Sequence, residues 1–126
     1  MKLLLTGGSG FIGGAAALGG LNAGWEVTLL LRPGSAPPPA VIGRARCIYA
    51  DLGSATAGQL RAMLPACDVV IHSAAIRNRW GTTPEDYRRV NVDATRNLLQ
   101  AVNGYAHRFV YVSSVGVYGF PGLCGI

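Results

Sequence analysis

Lysine is almost absent from this sequence: a single one, Lys2, stands beside ten arginines in 126 residues. The arginines are scattered, so the net charge of +5 contains no basic run, and no nucleic-acid-binding motif accompanies it. Nucleic acid is therefore not an expected partner. A solvated basic surface accounts for the charge, and an anionic small ligand would suit it too. Charge of either sign is sparse, at 13% of residues, while half of the chain is hydrophobic, which excludes a disordered segment. Cysteine is scarce as well: Cys47, Cys67 and Cys124 are odd in number and lack metal-ligand spacing, so neither a disulfide framework nor a metal site is expected. Cys47 and Cys67 sit in or beside apolar runs as small core residues, which fits a reducing, cytoplasmic setting. Long apolar runs are missing too. Lys2 and the leucines after it look like the start of a signal peptide, but Thr6-Gly7-Gly8-Ser9-Gly10 interrupts them at once. No stretch is long enough to span a membrane, and residues 1–126 are expected to form one domain with a core of its own.

Glycine, by contrast, is plentiful, and three glycines organise the chain. The short apolar run Lys2–Thr6 is strand material, and it leads into Gly7-x-x-Gly10-x-x-Gly13 and an Ala/Leu-rich helix. In such a turn Gly7 permits the tight bend, Gly10 lets backbone N–H groups approach a pyrophosphate, and Gly13 lets the helix pack closely on the strand. The opening helix would aim its unpaired N–H groups and positive end at the phosphates. A glycine-rich turn with no ligand is the competing reading. The position after a strand and before a helix favours dinucleotide binding.

Strands and helices alternate along the rest. Residues 11–23 read as a helix ended by Gly24, although its internal glycines each cost about 1 kcal/mol relative to alanine. Further strands are expected at 26–32, 46–50, 68–72 and 108–112, with helices at 54–64 and from Thr83 to Gly104. The proline-rich segment 33–39 must be a stiff surface loop. The last helix is the best signalled: Thr83 caps it, Pro84 takes its first position, and Glu85 and Asp86 lie in its first turn. Tyr87, Val90, Asn91, Ala94, Leu98 and Val102 form its inward face.

Continuously apolar strands between helices indicate an α/β, doubly wound parallel sheet covered on both faces. Right-handed crossovers give the strand order 3-2-1-4-5, with a switch point between strands 1 and 4. The segments after strands 1, 4 and 5 (residues 7–13, 73–75 and 113–114) then line one crevice.

At this point the chain resembles the extended short-chain dehydrogenase/reductase family of NAD(P)-dependent epimerases, dehydratases and reductases. The resemblance rests on four ordered signatures: Thr6 to Gly13, Asp51-Leu52, His72-Ser73-Ala74-Ala75, and Val112 to Gly119. Asn91-Val92-Asp93-Ala94-Thr95 is similar to the family's helix motif. It implies a Rossmann-like NAD(P)-binding domain, corresponding to the N-terminal part of the family's length. It places Gly7, Gly10, Phe11, Ile12 and Gly13 at the pyrophosphate, and Asp51 at the adenine amino group with the Leu52 backbone beside it. Ala74 and Ala75 would leave room for the nicotinamide ribose. Asn91 would support the site, or else be a satisfied core amide. His72 is expected to be a packed strand-end residue. Ser114 matches the family's catalytic Ser/Thr, which orients the substrate oxygen; Ser113 is its neighbour. The implied substrate is a small molecule, a nucleotide sugar or another carbonyl or hydroxyl compound.

Cofactor choice turns on Arg32. NAD-preferring Rossmann domains carry an acid at the end of the second strand to hold the ribose hydroxyls. Arginine there, followed by Pro33-Gly34-Ser35 with a free loop N–H and a hydroxyl, suits a 2′-phosphate and hence NADP(H). A solvated strand-end arginine is the alternative.

The sequence departs from the family in one respect. The family's acid/base is a tyrosine followed four residues later by lysine, yet Gly53, Asn91, Phe109, Val115 and Gly122 follow Tyr49, Tyr87, Tyr105, Tyr111 and Tyr118 at that distance. Strand 5 is also the last element, and an apolar edge strand invites pairing, so a homodimer is one expectation. The 126 residues are expected to be the front of a longer enzyme, inactive alone. A cofactor-sensing module without turnover is the second reading.

Overall fold

The computed structural model describes residues 1–77 and 80–119; Arg79, Gly122 and Cys124 lie outside them. Five strands form one parallel sheet in the order β3-β2-β1-β4-β5: β1 Lys2–Thr6, β2 Glu26–Leu31, β3 Arg46–Tyr49, β4 Val69–His72 and β5 Arg108–Tyr111. This is the expected doubly wound order. In it, β1 lies between β2 and β4, and Leu3, Leu4 and Leu5 pair with Val27, Thr28 and Leu29 on one side and with Val69, Val70 and Ile71 on the other.

Alternation of side chains along a strand sends these three leucines to opposite faces. Leu3 and Leu5 join Val27, Leu29, Leu31 and Ala17 of α1 (Phe11–Asn22). Leu4 joins Leu30 and Val70 beneath α2 (Ala57–Met63) and α4 (Ala94–Val102), through Leu60, Leu98 and Val102. Each leucine of β1 is at most 1% exposed, and burying such a side chain contributes about 1.5–3 kcal/mol. That is why β1 reads as an unbroken apolar run. Arg61 of α2 ties the second face together: its Nη1 donates to the Asn103 carbonyl at 3.1 Å, and its guanidinium lies 4.3 Å from the centre of the Tyr105 ring.

Two local expectations are corrected. The helix expected from Ser54 begins at Ala57, because the Ser54 hydroxyl is drawn back to Asp51. Thr56 then makes a reciprocal capping box with Gln59. The surface loop expected at 33–39 is present through Pro38, and a 3-10 turn, Pro39–Val41, follows it and seats Val41 in the core at 1% exposure. The single helix expected from Thr83 is α3 (Pro84–Tyr87), a π-helical turn (Arg88–Asp93) and α4. Thr83 and Asp86 form the capping box at its start. In the π turn the Ala94 N–H reaches back five residues to the Arg89 carbonyl, and the Thr95 hydroxyl takes the Asn91 carbonyl. β5 is an edge strand, with Val110 41% and Tyr111 50% exposed. No helix among the described residues is long and apolar enough to cross a membrane.

Candidate active site at the switch point

The crevice sits at the carboxyl ends of β1, β2, β3 and β4, where the strand order reverses. A cavity of about 230 Å³ there is lined by Gly7, Ser9 and Gly10 after β1, Arg32 after β2, and Asp51, Leu52 and Gly53 after β3. Ser73, Ala74, Ala75 and Ile76 after β4 and Val90 of the π turn also line it, with Leu30, Leu31 and Ala50 at the strand ends.

The first wall depends on missing side chains. Gly7 has φ +74°, and a Cβ there would stand 2.7 Å from the Ala74 nitrogen. A Cβ at Gly13 would collide with the Gly7 carbonyl oxygen. The two positions therefore let the turn, α1 and the β4 rim nest together. Gly10 is the N-cap of α1. It has no side chain to cap the first turn, and no acid lies in that turn. Its own N–H bonds to the Gly7 carbonyl at 2.9 Å, and the first helical bond runs from Gly14 to Gly10. The amides that begin α1, Phe11 to Gly13, thus precede the intrahelical ladder, which is the arrangement that binds anions. Phe11 and Ile12 have exposed side chains and, like Gly13, do not line the cavity. Any contact they make with a phosphate is through backbone.

Asp51 reaches the second wall with both carboxylate oxygens already accepting, from the Gly53 N–H at 3.1 Å and the Ser54 hydroxyl at 3.1 Å. Those bonds orient it and leave each oxygen a further lone pair. Arg32 is exposed beside it. The loop that follows differs from expectation in one respect. The Ser35 N–H and hydroxyl are not free, since both donate to the Arg32 carbonyl, at 3.0 and 2.6 Å.

The third wall is pinned from behind. The Asn91 carboxamide accepts from the Ile76 N–H and donates to the Ile76 carbonyl, both at 2.9 Å. Asn91 does not line the cavity; it holds a segment that does. It is therefore a satisfied amide and a support at once. Next to it, Thr6 and His72 are 0% and 1% exposed, and they share a 2.6 Å hydrogen bond at Nδ1. His72 Nε2 lies 2.9 Å from the Thr95 hydroxyl. Burial pushes the imidazole down to about 4 from 6.5, so the ring is neutral near pH 7. His72 is the packed strand-end residue expected, but its polar partners give no sequence signal, because Thr6, His72 and Thr95 lie on three different elements.

Ser114 is not brought to the cavity wall. It is exposed, caps a short 3-10 turn (Val115–Tyr118), and its Oγ accepts from the Gly116 N–H at 3.2 Å. A second cavity of about 580 Å³ adjoins the first and shares Arg32, Asp51, Ile76 and Val90 with it. Trp80, Asp86 and Arg89 add to its wall, and Trp80 is fully exposed. Hydrogen bonds from the Thr83 backbone and hydroxyl, with Arg89 beside them, hold the Asp86 carboxyl below its usual range. Arg89 also packs over Gly53, where a Cβ would meet its Nη1 at 2.7 Å.

The family model for the NAD dependent epimerase/dehydratase family matches residues 3–122. The chain belongs to that family. Among curated relatives it is 33% identical over 119 residues to a putative dihydroflavonol 4-reductase of Synechocystis, covering 94% of this chain and 34% of that protein. It is 32% identical to a UDP-glucose 4-epimerase of Corynebacterium glutamicum, covering 100% of this chain and 39% of that protein. Its fold superposes on a UDP-glucose-4-epimerase from Stenotrophomonas maltophila with bound NAD and formylated UDP-arabinopyranose, with TM-score 0.80 and 27% identity, over 100% of this chain and 40% of that one. A UDP-galactose 4-epimerase gives TM-score 0.82 at 28% identity, over 98% and 42%. The chain thus spans little more than a third of the length of the relatives it matches.

Proposed function

We propose that this chain is the cofactor-binding portion of an NAD(P)-dependent epimerase, dehydratase or reductase acting on a nucleotide sugar or another carbonyl or hydroxyl compound. One observation carries the reading. The Gly7–Gly10 turn, the α1 N-terminus without a side-chain cap, Asp51 and the Ala74–Ala75 rim face a single cavity at the switch point. The tight glycine turn, whose packing against α1 and the β4 rim a Cβ at Gly7 or Gly13 would break, and the uncapped helix suit a dinucleotide pyrophosphate. The amides at the start of α1 would hold that group, Asp51 and Leu52 the adenine, and Ala74 and Ala75 the space beside the nicotinamide ribose. The bound nicotinamide would supply the hydride acceptor or donor.

Arg32 directs the reading toward NADP(H). With the Ser35 donors engaged by the Arg32 carbonyl, the guanidinium is the principal group offered to a 2′-phosphate. The Ser114 hydroxyl accepts from Gly116 and keeps its own proton, which it would use to orient a substrate oxygen.

The second reading is a module that binds NADP(H) without turnover. Titration with NADPH and NADH, followed by nicotinamide fluorescence and by a reductase or epimerase assay, tests both. Saturable binding that prefers NADPH supports the cofactor assignment, and turnover by the chain itself would remove the second reading. Equal affinity for the two would remove the role given to Arg32. Binding of neither would remove the cofactor assignment.

A further inference from the structure

The buried polar groups behind the β4 rim form a chain whose direction can be worked out atom by atom. The Thr95 hydroxyl has one proton, and the Asn91 carbonyl, 2.9 Å away, can only accept it. The Thr95 oxygen therefore faces His72 Nε2 with a lone pair, and Nε2 must carry the ring proton. In the neutral ring Nδ1 is then the acceptor, so the Thr6 hydroxyl donates to it at 2.6 Å. The remaining lone pairs of Thr6 Oγ1 face the Ala74 N–H at 3.3 Å. Every donor in the sequence Ala74 N–H, Thr6, His72, Thr95, Asn91 carbonyl has one acceptor, and the order has a single sense.

We propose that Thr6, His72 and Thr95 are positioning residues for the cofactor crevice. Their one-way hydrogen-bond chain, running through the Nε2–H tautomer of His72, locks the β4 rim at Ala74 to the π-helical turn whose Asn91 holds Ile76. The inference rests on the cofactor reading above, since Ala74 and Ile76 line that cavity. Two further observations support it. The His72 ring is wedged against Phe109 and Tyr111, with centroids 6.0 and 5.7 Å away, so its orientation is set by β5 as well. The neighbouring interior positions, Leu5, Leu30 and Val70, are apolar. A buried polar relay adds little net stability over apolar packing, but it does define one geometry. Its use here is to fix the rim backbone before a cofactor arrives.

The test uses the whole chain, Thr95→Val, which keeps shape and loses the hydroxyl, and Thr95→Ser, which restores it. Long-range ¹H–¹⁵N correlation of the His72 ring should show the Nε2–H tautomer in the wild type. Amide exchange at Ala74 and Ile76, without cofactor, should accelerate roughly tenfold or more in Thr95→Val and return to wild type in Thr95→Ser, with Leu4 and Val70 unchanged. NADPH affinity should follow the same order. An Nδ1–H tautomer in the wild type would overturn the proposal. So would Thr95→Ser behaving like Thr95→Val, or Thr95→Val leaving rim exchange at wild-type rates. If Thr95→Val does not fold, the wild-type tautomer and Thr95→Ser decide. Failure of the wild type to bind either cofactor would count against the cofactor reading alone, because tautomer and exchange are measured without it.

Discussion

Asn91 grips Ile76 as a neighbouring strand would, accepting from its N–H and donating to its carbonyl at 2.9 Å each. The segment after β4 has left the sheet at that point, so a side chain from the π turn supplies the partners that a sixth strand position would have given. This places a helix residue in control of the crevice rim without touching the cavity. Replacing it with leucine would leave two half-buried backbone groups unpaired, at about 1–3 kcal/mol for such a group. Asn91→Leu is therefore expected to unfold at lower denaturant and to bind cofactor more weakly. Urea titration and NADPH titration of the same variant check both effects, and Asn91→Asp, which cannot donate to the Ile76 carbonyl, should recover neither fully.

The glycines of α1 separate into two kinds. Gly13→Ala puts a methyl group into the Gly7 carbonyl, whereas a Cβ at Gly19 meets nothing within 4 Å. Gly13→Ala should destabilise the fold and abolish cofactor binding. Gly19→Ala should stabilise it by about 0.5–1 kcal/mol, the helix-propensity difference, and leave binding unchanged. Thermal unfolding of the pair is the check.

Most of this architecture is legible in the sequence. The apolar runs of β1 to β5 specify a covered parallel sheet, and the crossover rule then yields the observed order. The turn after β1 is legible for the same reason, because Gly7 and Gly13 occupy positions where a Cβ has no space. What the sequence does not disclose is long-range polar pairing. Thr6, His72 and Thr95 look like ordinary strand and helix residues until the fold brings them within 2.6 to 2.9 Å. The π turn is hidden for a related reason: residues 87 to 102 keep a helical apolar face through it, so periodicity alone reads one continuous helix. Ser35 misleads in the opposite sense. Its hydroxyl looks available to a phosphate, yet a local bond to the Arg32 carbonyl takes it.

His72 makes stability depend on pH. Its pKa in the fold is about 4, below the ordinary 6.5, so between those values the unfolded chain binds the proton more readily. Stability contributed by the neutral ring is therefore fully present above about pH 6.5 and is lost as pH falls toward 4. The loss reaches roughly 2–3 kcal/mol, at about 1.4 kcal/mol per pH unit. Comparing wild type with His72→Gln by urea unfolding isolates it. The stability gap between the two should shrink from pH 6.5 to pH 4, and a constant gap would contradict the assignment.

Arg32 is expected to set cofactor preference. Arg32→Glu removes the guanidinium and installs the acid that ribose hydroxyls favour. NADPH affinity should fall about 10- to 100-fold, the loss of a charge-assisted contact, while NADH affinity holds or rises. Parallel titrations with the two cofactors read the switch.

The central claim is that a nicotinamide dinucleotide occupies the cavity at the switch point. The most direct measurement is a ¹H–¹⁵N correlation spectrum of the chain, recorded while NADPH is added. The account predicts saturable shifts confined to residues 7–13, Arg32, 51–53 and 73–76. Saturable shifts located instead around Lys2, Arg44 and Arg46, which line a cavity beside the start of β1, would contradict it. So would a spectrum that does not change.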